Sequence, residues 1–452
     1  MQFGFFGAVA CVLACAAAHA QDTPLAFTHA RVITASGPEI ADGTLVVHKG
    51  TILAVGDAGQ VAIPAGAEII DARGKVIMPG LVDTHSHIGG AGGADGSAPI
   101  QPDVRVLDAI NPLDSGFRRA VAGGITTVNV MPGSGHLLSG QTVYLKLRRK
   151  AGKPFARIDD LFIRDDKGNP TRGIKMANGT NSQREAPFPG TRAKSAALVR
   201  ERFIKAQEYA AKVEAARNPD GTFDPAKRPP RDLGLEALGD VLSGATVVHH
   251  HTHRADDIMT VLRLQREFGF RVVLHHVSEA WKVADEIAAA GAGCSIIVID
   301  SPGGKLEAAE LSLGTGGALE RAGAAVCIHT DDWITDSRRF LRSAALAVRG
   351  GMSREGALRA VTLAGAKMLD LGERVGSLEP GKDADFLVLS GDPFSVYTKI
   401  EKTYVEGQLV FDLANPEDHL FAVGGFGAGR DQEPYLCCAK QALQDAGIGG
   451  GE

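Results

Sequence analysis

Two histidines stand one residue apart at the end of an apolar run, in the stretch MPGLVDTHSHIGG over residues 78–90. In a β-strand the side chains of residues i and i+2 point to the same face, so His85 and His87 would leave the strand end side by side. Imidazoles paired in this way can bind a metal ion, although two surface histidines at a strand end would give the same pattern. Other histidines and carboxylates of the sequence distinguish a metal site from two surface histidines.

A second group of histidines closes a later predicted strand, in VVHHHTHRADD. Strand alternation puts His249, His251 and His253 on one face and His250 on the other. Several imidazoles of this group could therefore point toward the same interior space.

Two further strand ends carry side chains of the metal-ligand type. VVLHHVSEAW ends in His275 and His276, which alternation points in opposite directions, and CIHTDDW carries His329, Asp331 and Asp332. Because the carboxyl ends of barrel strands converge on one mouth, four such strands together favour a metal site. Imidazole and carboxylate ligands with few available thiols fit Zn²⁺ best, while Fe, Mn or Co could fill the same shell.

Composition describes an ordinary globular protein. The 452 residues are 44% hydrophobic and 22% charged, with a net charge of -5. A negative balance argues against a nucleic-acid partner and against an anionic membrane surface, and no run of 18 or more apolar residues follows the N-terminus. A small-molecule or dipeptide substrate is the partner that we expect, and a homo-oligomer stays open.

The first 20 residues, MQFGFFGAVACVLACAAAHA, are typical of a secretory signal peptide cleaved after Ala20. A lipoprotein site at Cys15 is the alternative and fits its pattern less well. We therefore expect a secreted or periplasmic protein that has no membrane partner once the signal is removed.

Alternating strands and helices in the middle of the chain predict an α/β fold, a (β/α)8 TIM-type barrel over residues 78–375. A small β-sandwich domain is predicted from both chain ends, residues 21–77 and 376–415, followed by a tail over 416–452. The strands predicted for the barrel are KVIMPGLVDTH, TTVNVM (126–131), TVYLKL (142–147), GIKMA (173–177), ATVVHHH (245–251), RVVLHH (271–276), SIIVID (295–300) and AAVCIHTD (324–331). The segment 182–235 is predicted to be an insertion over a barrel loop, with one amphipathic helix whose apolar face is marked by Val199, Phe203, Ala206, Ala210 and Val213. A doubly wound sheet is compatible with the same count.

These motifs together resemble the amidohydrolase superfamily. GLVDTHSH is similar to the metal motif of its first strand, lone histidines close its fifth and sixth strands, and an Asp closes its eighth. GSLEPGKDADFLVL resembles the returning segment of its β domain, so the resemblance covers nearly the whole mature chain. HTHRADDI, PGSG (132–135) and GIKMANG look most like the imidazolonepropionase-related branch, which includes secreted peptidases and prolidase-like enzymes.

The resemblance implies a set of metal ligands: His85, His87, His251, His276 and Asp331. Preferring His251 over its same-face neighbours, and His276 over His275, depends on this resemblance. Binuclear members bridge their ions with a carboxylated lysine from the fourth strand, for which Lys175 in GIKMANG is the candidate and Lys146 in YLKL the competitor. Several relatives have Glu where this chain has Thr180, so one ion or two remain open.

The expected mechanism follows from electrostatics. A divalent ion lowers the pKa of bound water to about 7 and polarises a carbonyl. Asp331 would accept the water proton and pass it to the leaving nitrogen, while His276 or His253 holds the carbonyl oxygen. His136 in PGSGHLLSG and Arg254 are the candidates for binding a substrate carboxylate, with a surface ion pair as the alternative role of Arg254.

The predicted reaction is hydrolysis of an amide or related carbon-nitrogen bond in a dipeptide or N-acyl amino acid. A cyclic amide hydrolase of imidazolonepropionase type ranks lower, because histidine catabolism uses cytosolic substrates. A lactonase or phosphoesterase would use the same activated water, and a catalytically silent metal-binding protein is the alternative outside enzymes. Asp331 counts against this last alternative, since a metal store needs no acid-base group.

Overall fold

The computed structural model describes residues 22–91, 95–149, 157–299, 305–332 and 334–424. The predicted signal peptide, and the predicted tail beyond residue 424, lie outside these ranges. Within them, no helix combines the length and the apolar character that crossing a membrane requires.

Strands and helices alternate through the middle of the chain. The strands are β1 (Leu25–Val32), β2 (Ile40–His48), β3 (Thr51–Asp57), β4 (Glu68–Asp71), β5 (Val76–Pro79), β6 (Leu81–Ser86), β7 (Ile125–Val130), β8 (Leu138–Gln141), β9 (Val143–Lys146), β10 (Gly173–Ala177), β11 (Val247–Thr252), β12 (Val272–His276), β13 (Gly293–Ile297), β14 (Val326–His329), β15 (Phe386–Leu389), β16 (Ile400–Val405) and β17 (Gln408–Asp412). The helices are α1 (Ser115–Ala122), α2 (Arg192–Ala215), α3 (Leu233–Leu242), α4 (Ala255–Phe268), α5 (Ala284–Ala289), α6 (Thr315–Arg321), α7 (Phe340–Arg349), α8 (Arg354–Ala360), α9 (Leu363–Met368) and α10 (Pro416–Val423). The last of these, α10, opens the segment that the sequence assigned to the tail.

One sheet joins strands from both ends of the chain. Its eight strands run in the order β17-β16-β15-β5-β1-β2-β3, with β4 on β1. The strand β1 branches the sheet, since its first half pairs with β4 while Arg31 and Val32 pair with β5. The sequence predicted a β-sandwich, whereas these strands form a single branched sheet around their own apolar cluster, in which the rings of Phe27, Phe386 and Tyr404 contact one another.

The chain passes from this sheet to the next at Pro79 and Gly80. The stretch KVIMPGLVDTH, predicted as one strand, is therefore two, β5 and β6. The Gly80 N–H donates to the Asp385 carbonyl at 3.0 Å, and a Cβ on Gly80 would lie 2.3 Å from the Thr126 side chain. A larger residue would not fit this close approach, and the two strands on either side of Gly80 pair in different sheets.

Two more sheets carry the candidate chemistry. The order in one is β14-β13-β12-β11-β10-β8, and in the other β6-β7-β9. Strands β10 to β14 are mutually parallel, and β6 is parallel to β7. Beyond β14 the chain meets the end of β6, where the Asp331 N–H donates to the His85 carbonyl at 2.9 Å. The carboxyl ends of β6, β12 and β14 therefore lie at one edge.

The segment 142–147 corrects the prediction of repeated βα units. It forms β9, which runs antiparallel to β7, while β8 just before it runs antiparallel to β10. Only Thr142 separates β8 from β9, and a parallel connection needs a crossover of a dozen or more residues. The continuous stretch 138–146 thus contributes one strand to each of the two sheets.

The helix expected within 182–235 is α2. The Thr191 hydroxyl caps it by accepting from the Lys194 N–H, and Val199, Phe203 and Ala206 are buried as the apolar pattern predicts. Tyr209 takes the next buried position of this face, where the pattern had predicted Ala210.

Candidate active site

Side chains from three strands converge beyond β6. His85 Nε2 and His87 Nε2 lie 3.3 Å apart, and Asp331 Oδ1 lies 3.4 Å and 3.1 Å from them. The amine of Lys175, on β10, is 3.3 Å from His85 Nε2. Among the described residues, His85, His87 and Asp331 are one of three groups whose ligand atoms are close enough to hold one ion.

Local backbone geometry orients His87 and Asp331 within this group. His87 Nδ1 lies 2.8 Å from the Met131 carbonyl and donates its proton there, so Nε2 is turned toward His85 and Asp331. Asp331 adopts a left-handed backbone conformation, with φ of 50°. The Asp331 carboxylate thereby turns toward His87 in place of continuing the strand direction.

Asp83 joins β6 to β14 beneath this group. Its Oδ1 accepts from the backbone N–H groups of His85, at 3.2 Å, and Thr330, at 3.1 Å, and its Oδ2 accepts from the Thr330 hydroxyl. Burial raises the pKa of Asp83 to about 7 against these hydrogen bonds. Asp83 is not among the predicted site residues, although it stands inside the motif GLVDTHSH.

The second group of ligand atoms surrounds His276. Its Nδ1 lies 3.1 Å from His329 Nε2 and 3.7 Å from Asp331 Oδ2. The sequence predicted that His275 and His276 point in opposite directions. In the structure both rings contact His85, with ring centroids 4.8 Å from that of His85. Strand alternation fails at His276, whose φ of 68° is left-handed.

Buried nitrogen atoms without partners lie beside His276. The His251 ring is 4.5 Å from that of His276 and 4.7 Å from that of His253. Both ring nitrogens of His251, and Nε2 of His253, are buried and have no hydrogen-bond partner, whereas His253 Nδ1 lies 2.8 Å from the Ser278 hydroxyl. Because buried polar atoms are nearly always satisfied, such orphaned imidazole nitrogens fit a site for a cation.

The pKa values of Asp331 and Lys175 are both lowered, with different results for their charge near neutral pH. Burial alone would raise the pKa of Asp331, but the hydrogen bond and charge of His87, with the charges of His329 and Lys175, hold it below its ordinary value. Burial lowers the pKa of Lys175 to about 7, with Asp331 opposing and Lys305 assisting the shift. Near neutral pH the site therefore offers an ionised carboxylate and a lysine amine of which a sizeable fraction is neutral.

The structure separates the two lysine candidates. Lys175 lies among the histidines, whereas Lys146 pairs with Asp383, with Asp385 at 3.3 Å and with Glu406 at 3.5 Å. Asp383 and Asp385 belong to the returning β-domain segment, and Glu406 lies in the turn between β16 and β17. Lys146 therefore does not reach the histidine cluster.

The two predicted carboxylate binders have other contacts. His136 is buried, and its ring centroid lies 5.1 Å from that of Phe188. The Arg184 guanidinium lies over the same Phe188 ring, 3.8 Å from its centroid. Arg254 forms a two-point ion pair with exposed Asp256, at 2.9 Å for each contact. The structure thus gives Arg254 its alternative role, and it does not bring Arg254 to the histidine cluster.

Lys305 is a charged residue of the site that the sequence analysis missed. Burial, together with the Lys305 charge, lowers the pKa of His253 to about 3, and the same charge acts on Lys175 and His251. The only sequence signal is a lysine shortly after a predicted strand, which is too common to single out.

Comparison with known proteins agrees with this geometry. Residues 113–411 match the model of the amidohydrolase family. The amidohydrolase tasK of Hapsidospora irregularis is 28% identical over 395 residues, which are 82% of this chain and 40% of that protein. The chain thus spans less than half the length of that curated relative.

Solved structures extend the likeness to the fold. An amidohydrolase from Thermotoga maritima MSB8 is 32% identical with a TM-score of 0.77, covering 86% of this chain and 100% of that one. A prolidase complexed with N-methylphosphonate-L-proline is 18% identical with a TM-score of 0.53, covering 86% of this chain and 100% of that one, which shows a shared fold alone. The resemblance drawn from the motifs is confirmed: the chain belongs to the amidohydrolase family, whose members are metal-dependent hydrolases of carbon-nitrogen bonds.

Proposed function

We propose that this chain is a metal-dependent hydrolase that cleaves the amide bond of a small substrate bearing a carboxylate, either a dipeptide or an N-acyl amino acid. The observation that carries the proposal is the convergence of His85 Nε2, His87 Nε2 and Asp331 Oδ1 within 3.4 Å of one another. Two imidazole acceptors and a carboxylate at such distances are a donor set for a divalent cation.

The residues present fit one ion or two. His85, His87 and Asp331 would hold the first, and His251 and His276 would hold a second, while the amine of Lys175 lies 3.3 Å from His85 Nε2. Zn²⁺ is the ion that we propose, because the donors are imidazoles and carboxylates. When bound, the cation lowers the pKa of water to about 7 and polarises the scissile carbonyl. The neutral amine of Lys175 is the form that could take up CO₂ with loss of a proton, and the resulting carbamate would be a further ligand for the cation.

Asp331 and His253 supply the proton transfers and the hydrogen bonds. Because its pKa is held low, Asp331 is ionised at neutral pH and can accept the proton of the attacking water, then give it to the leaving nitrogen. If the Ser278 hydroxyl donates to His253 Nδ1, the remaining proton stays on Nε2. That N–H is then available to the carbonyl oxygen as it gains negative charge.

Lys305 supports a substrate with a carboxylate. Its charge contributes to lowering the pKa of Lys175, His251 and His253, and this electrostatic influence is what supports the assignment. A cation beside the reacting centre favours a substrate that brings a negative charge. The prolidase neighbour, with its proline-containing ligand, is consistent with this substrate class.

The proposal also includes the barrel fold and the export of the protein. The parallel strands are proposed to close into a (β/α)8 barrel, supported by the contact of β14 with β6 and by the stretch 138–146 shared between the sheets. Export is proposed from the sequence of residues 1–20, which would place the enzyme where peptides are scavenged.

The test is metal analysis of the purified protein together with a hydrolysis panel. The panel compares dipeptides and N-acyl amino acids with their C-terminal carboxamides, lactones and phosphoesters. We expect bound Zn²⁺ and cleavage of the carboxylate-bearing amides, lost with a chelator and restored with metal. Cleavage confined to lactones or phosphoesters, or no hydrolysis by the metal-loaded protein, would contradict the proposal.

A variant of Lys305 tests the substrate class separately. Lys305→Gln should raise KM for the acids about tenfold and leave KM for the matched carboxamides unchanged, since only the acids lose an ion pair. Lys305→Arg, which keeps the charge, is the matched control. An equal effect on acids and amides would remove Lys305 from substrate binding.

A further inference from the structure

A chain of buried hydrogen bonds leads away from the candidate metal site. His85 Nδ1 lies 3.1 Å from His275 Nδ1, His275 Nε2 lies 2.9 Å from His249 Nδ1, and His249 Nε2 lies 2.9 Å from the Tyr144 hydroxyl. All four side chains are buried. The proposed function uses only His85, so the other three have no assigned role.

The pairing leaves little freedom for the protons. A neutral imidazole carries one proton, so each ring can donate at one nitrogen and must accept at the other. Among the residues that the structure describes, no carboxylate lies in contact with His275 or His249 to favour a second proton. Once the direction of the His85 hydrogen bond is chosen, the directions at His275 and His249 follow.

Metal binding by His85 selects one of the two directions. His85 Nε2 faces His87, Lys175 and Asp331, so this is the atom that would bind a cation and it must be unprotonated. The proton then sits on Nδ1 and is donated to His275. In the opposite direction Tyr144 donates to His249, and the proton on His85 ends at Nε2, where it excludes a cation.

A glycine in the backbone makes room for the hydrogen bond between His249 and Tyr144. A Cβ at Gly173 would lie 2.3 Å from His249 Cδ2, 2.6 Å from His249 Nε2 and 3.0 Å from the Tyr144 hydroxyl. A glycine is therefore required at the first position of β10 for His249 and Tyr144 to meet. This clearance is independent of the metal ligands and indicates a built contact.

We infer that His275, His249 and Tyr144 are positioning residues that hold His85 in the tautomer with Nε2 free, so that metal affinity is set in part at the interior end of this chain. The inference rests on the proposed metal role of His85. Hydrogen-bond partners of a metal-binding histidine fix its ring orientation and raise its basicity. Here the partner is itself held by two more side chains.

The first test compares two substitutions of His275. His275→Phe keeps a ring but offers no acceptor, so the His85 Nδ1 proton is left buried and unpaired, and Zn²⁺ affinity should fall about 10- to 100-fold. His275→Asn places an amide oxygen near the position of Nδ1 and should recover most of that loss. The readout is the Zn²⁺ dissociation constant from competition with a chelator, with folding checked by thermal denaturation.

The second test acts at the far end of the chain. Tyr144→Phe removes the partner of His249 and should weaken Zn²⁺ binding about threefold to tenfold, and Gly173→Ala should weaken it by displacing the His249 ring. Cys294→Ala is the matched control, because it truncates a buried side chain on the neighbouring strand β13 and leaves all four hydrogen-bonded residues in place. Its Zn²⁺ affinity should stay at the wild-type value.

Nuclear magnetic resonance of ¹⁵N-histidine reads the tautomers directly. In the Zn²⁺-loaded protein, His275 and His249 should both carry their proton on Nε2. A proton on Nδ1 of either ring would overturn the inference.

His85→Ala separates the inference from the proposed function. If this variant loses Zn²⁺ while His275→Phe binds it as tightly as the wild type, the positioning role is wrong and the metal site stands. If His85→Ala keeps full Zn²⁺ affinity, the metal role of His85 fails, and the inference with it.

Discussion

Two buried lysines, 29 positions apart in the sequence, occupy opposite electrostatic surroundings. Lys175 and Lys146 are both fully buried on strands. The contacts of the Lys175 amine are His85 Nε2 at 3.3 Å and Met131 Sδ at 3.0 Å, neither of which carries a negative charge. Lys146 instead lies among the carboxylates of Asp383, Asp385 and Glu406.

The surroundings move the pKa of the two amines in opposite directions. Burial lowers the pKa of Lys175 to about 7, whereas at Lys146 the nearby carboxylates overcome burial and raise it. Burial alone therefore does not predict the charge of a lysine. Lys175 has the chemistry of a reactive amine, and Lys146 is the cation of a structural ion cluster.

The Lys146 cluster joins the two parts of the chain. Arg148, two residues after Lys146, makes a two-point ion pair with Glu406 at 2.7 Å for each contact. Glu406 lies in the turn between β16 and β17 of the eight-stranded sheet. The cluster thus fastens the end of β9 to the returning β-domain segment.

The largest expected effect belongs to the Lys175 side. Asp331→Asn should lower kcat about 10²- to 10⁴-fold, because the amide cannot accept the water proton. Asn tolerates the left-handed backbone of Asp331, so the fold should persist. Asp332→Asn, which keeps an acceptor for the Ser337 hydroxyl, is the control. Full turnover by Asp331→Asn would remove this residue as the base.

Exchanging each lysine for methionine tests the contrast itself. Lys146→Met should cost about 3 to 5 kcal/mol of unfolding free energy, since it leaves buried carboxylates without their cation. Lys175→Met should weaken metal binding, because it removes a proposed ligand, and should leave the unfolding free energy of the metal-free protein unchanged or higher. Urea denaturation and metal titration of both variants measure the two effects. Similar losses of stability would mean that the environments are less different than their contacts indicate.

The pH dependence of stability should reveal the ion cluster. Burial alone would raise the pKa of Glu406, but the Arg148 hydrogen bonds and the charges of Lys146 and Arg148 lower it to about 2 from an ordinary 4.5. The stabilisation, about 3 kcal/mol, is fully present above pH 4.5 and is lost as the pH falls toward 2.

Glu406→Gln isolates this contribution. In urea denaturation the stability difference from the wild type should be largest near pH 7 and should shrink as the pH falls below 4.5. A difference that stays constant from pH 7 to pH 3 would show that Glu406 is not stabilised by its ionised form.

The smallest expected effect is at the surface. Arg254→Ala breaks an ion pair whose side chains are 45% and 56% exposed, so the unfolding free energy should change by about 1 kcal/mol or less. KM for a dipeptide substrate should not change, because Arg254 is paired away from the histidine cluster. A raised KM would restore Arg254 as a substrate-binding residue.

Local patterns predicted much of the strand arrangement and part of the site. The two-residue period of GLVDTHSH brings His85 and His87 to one side, and parallel strands bring Asp331 to the same edge. The pattern failed at His276, since a left-handed residue at a strand end cancels the alternation. It also failed at 142–147, where strand-like composition carries no information about direction.

What the sequence by itself determined is the identity of the ligand-type side chains and their places at strand ends, because strand periodicity is a local property. Only the tertiary structure decided which buried lysine meets histidines and which meets carboxylates. It also decided that Asp83, Lys305 and the histidines behind His85 belong to the same site. Those assignments depend on the charges and hydrogen-bond partners that distant segments bring together, and a pKa responds to that environment and not to sequence neighbours.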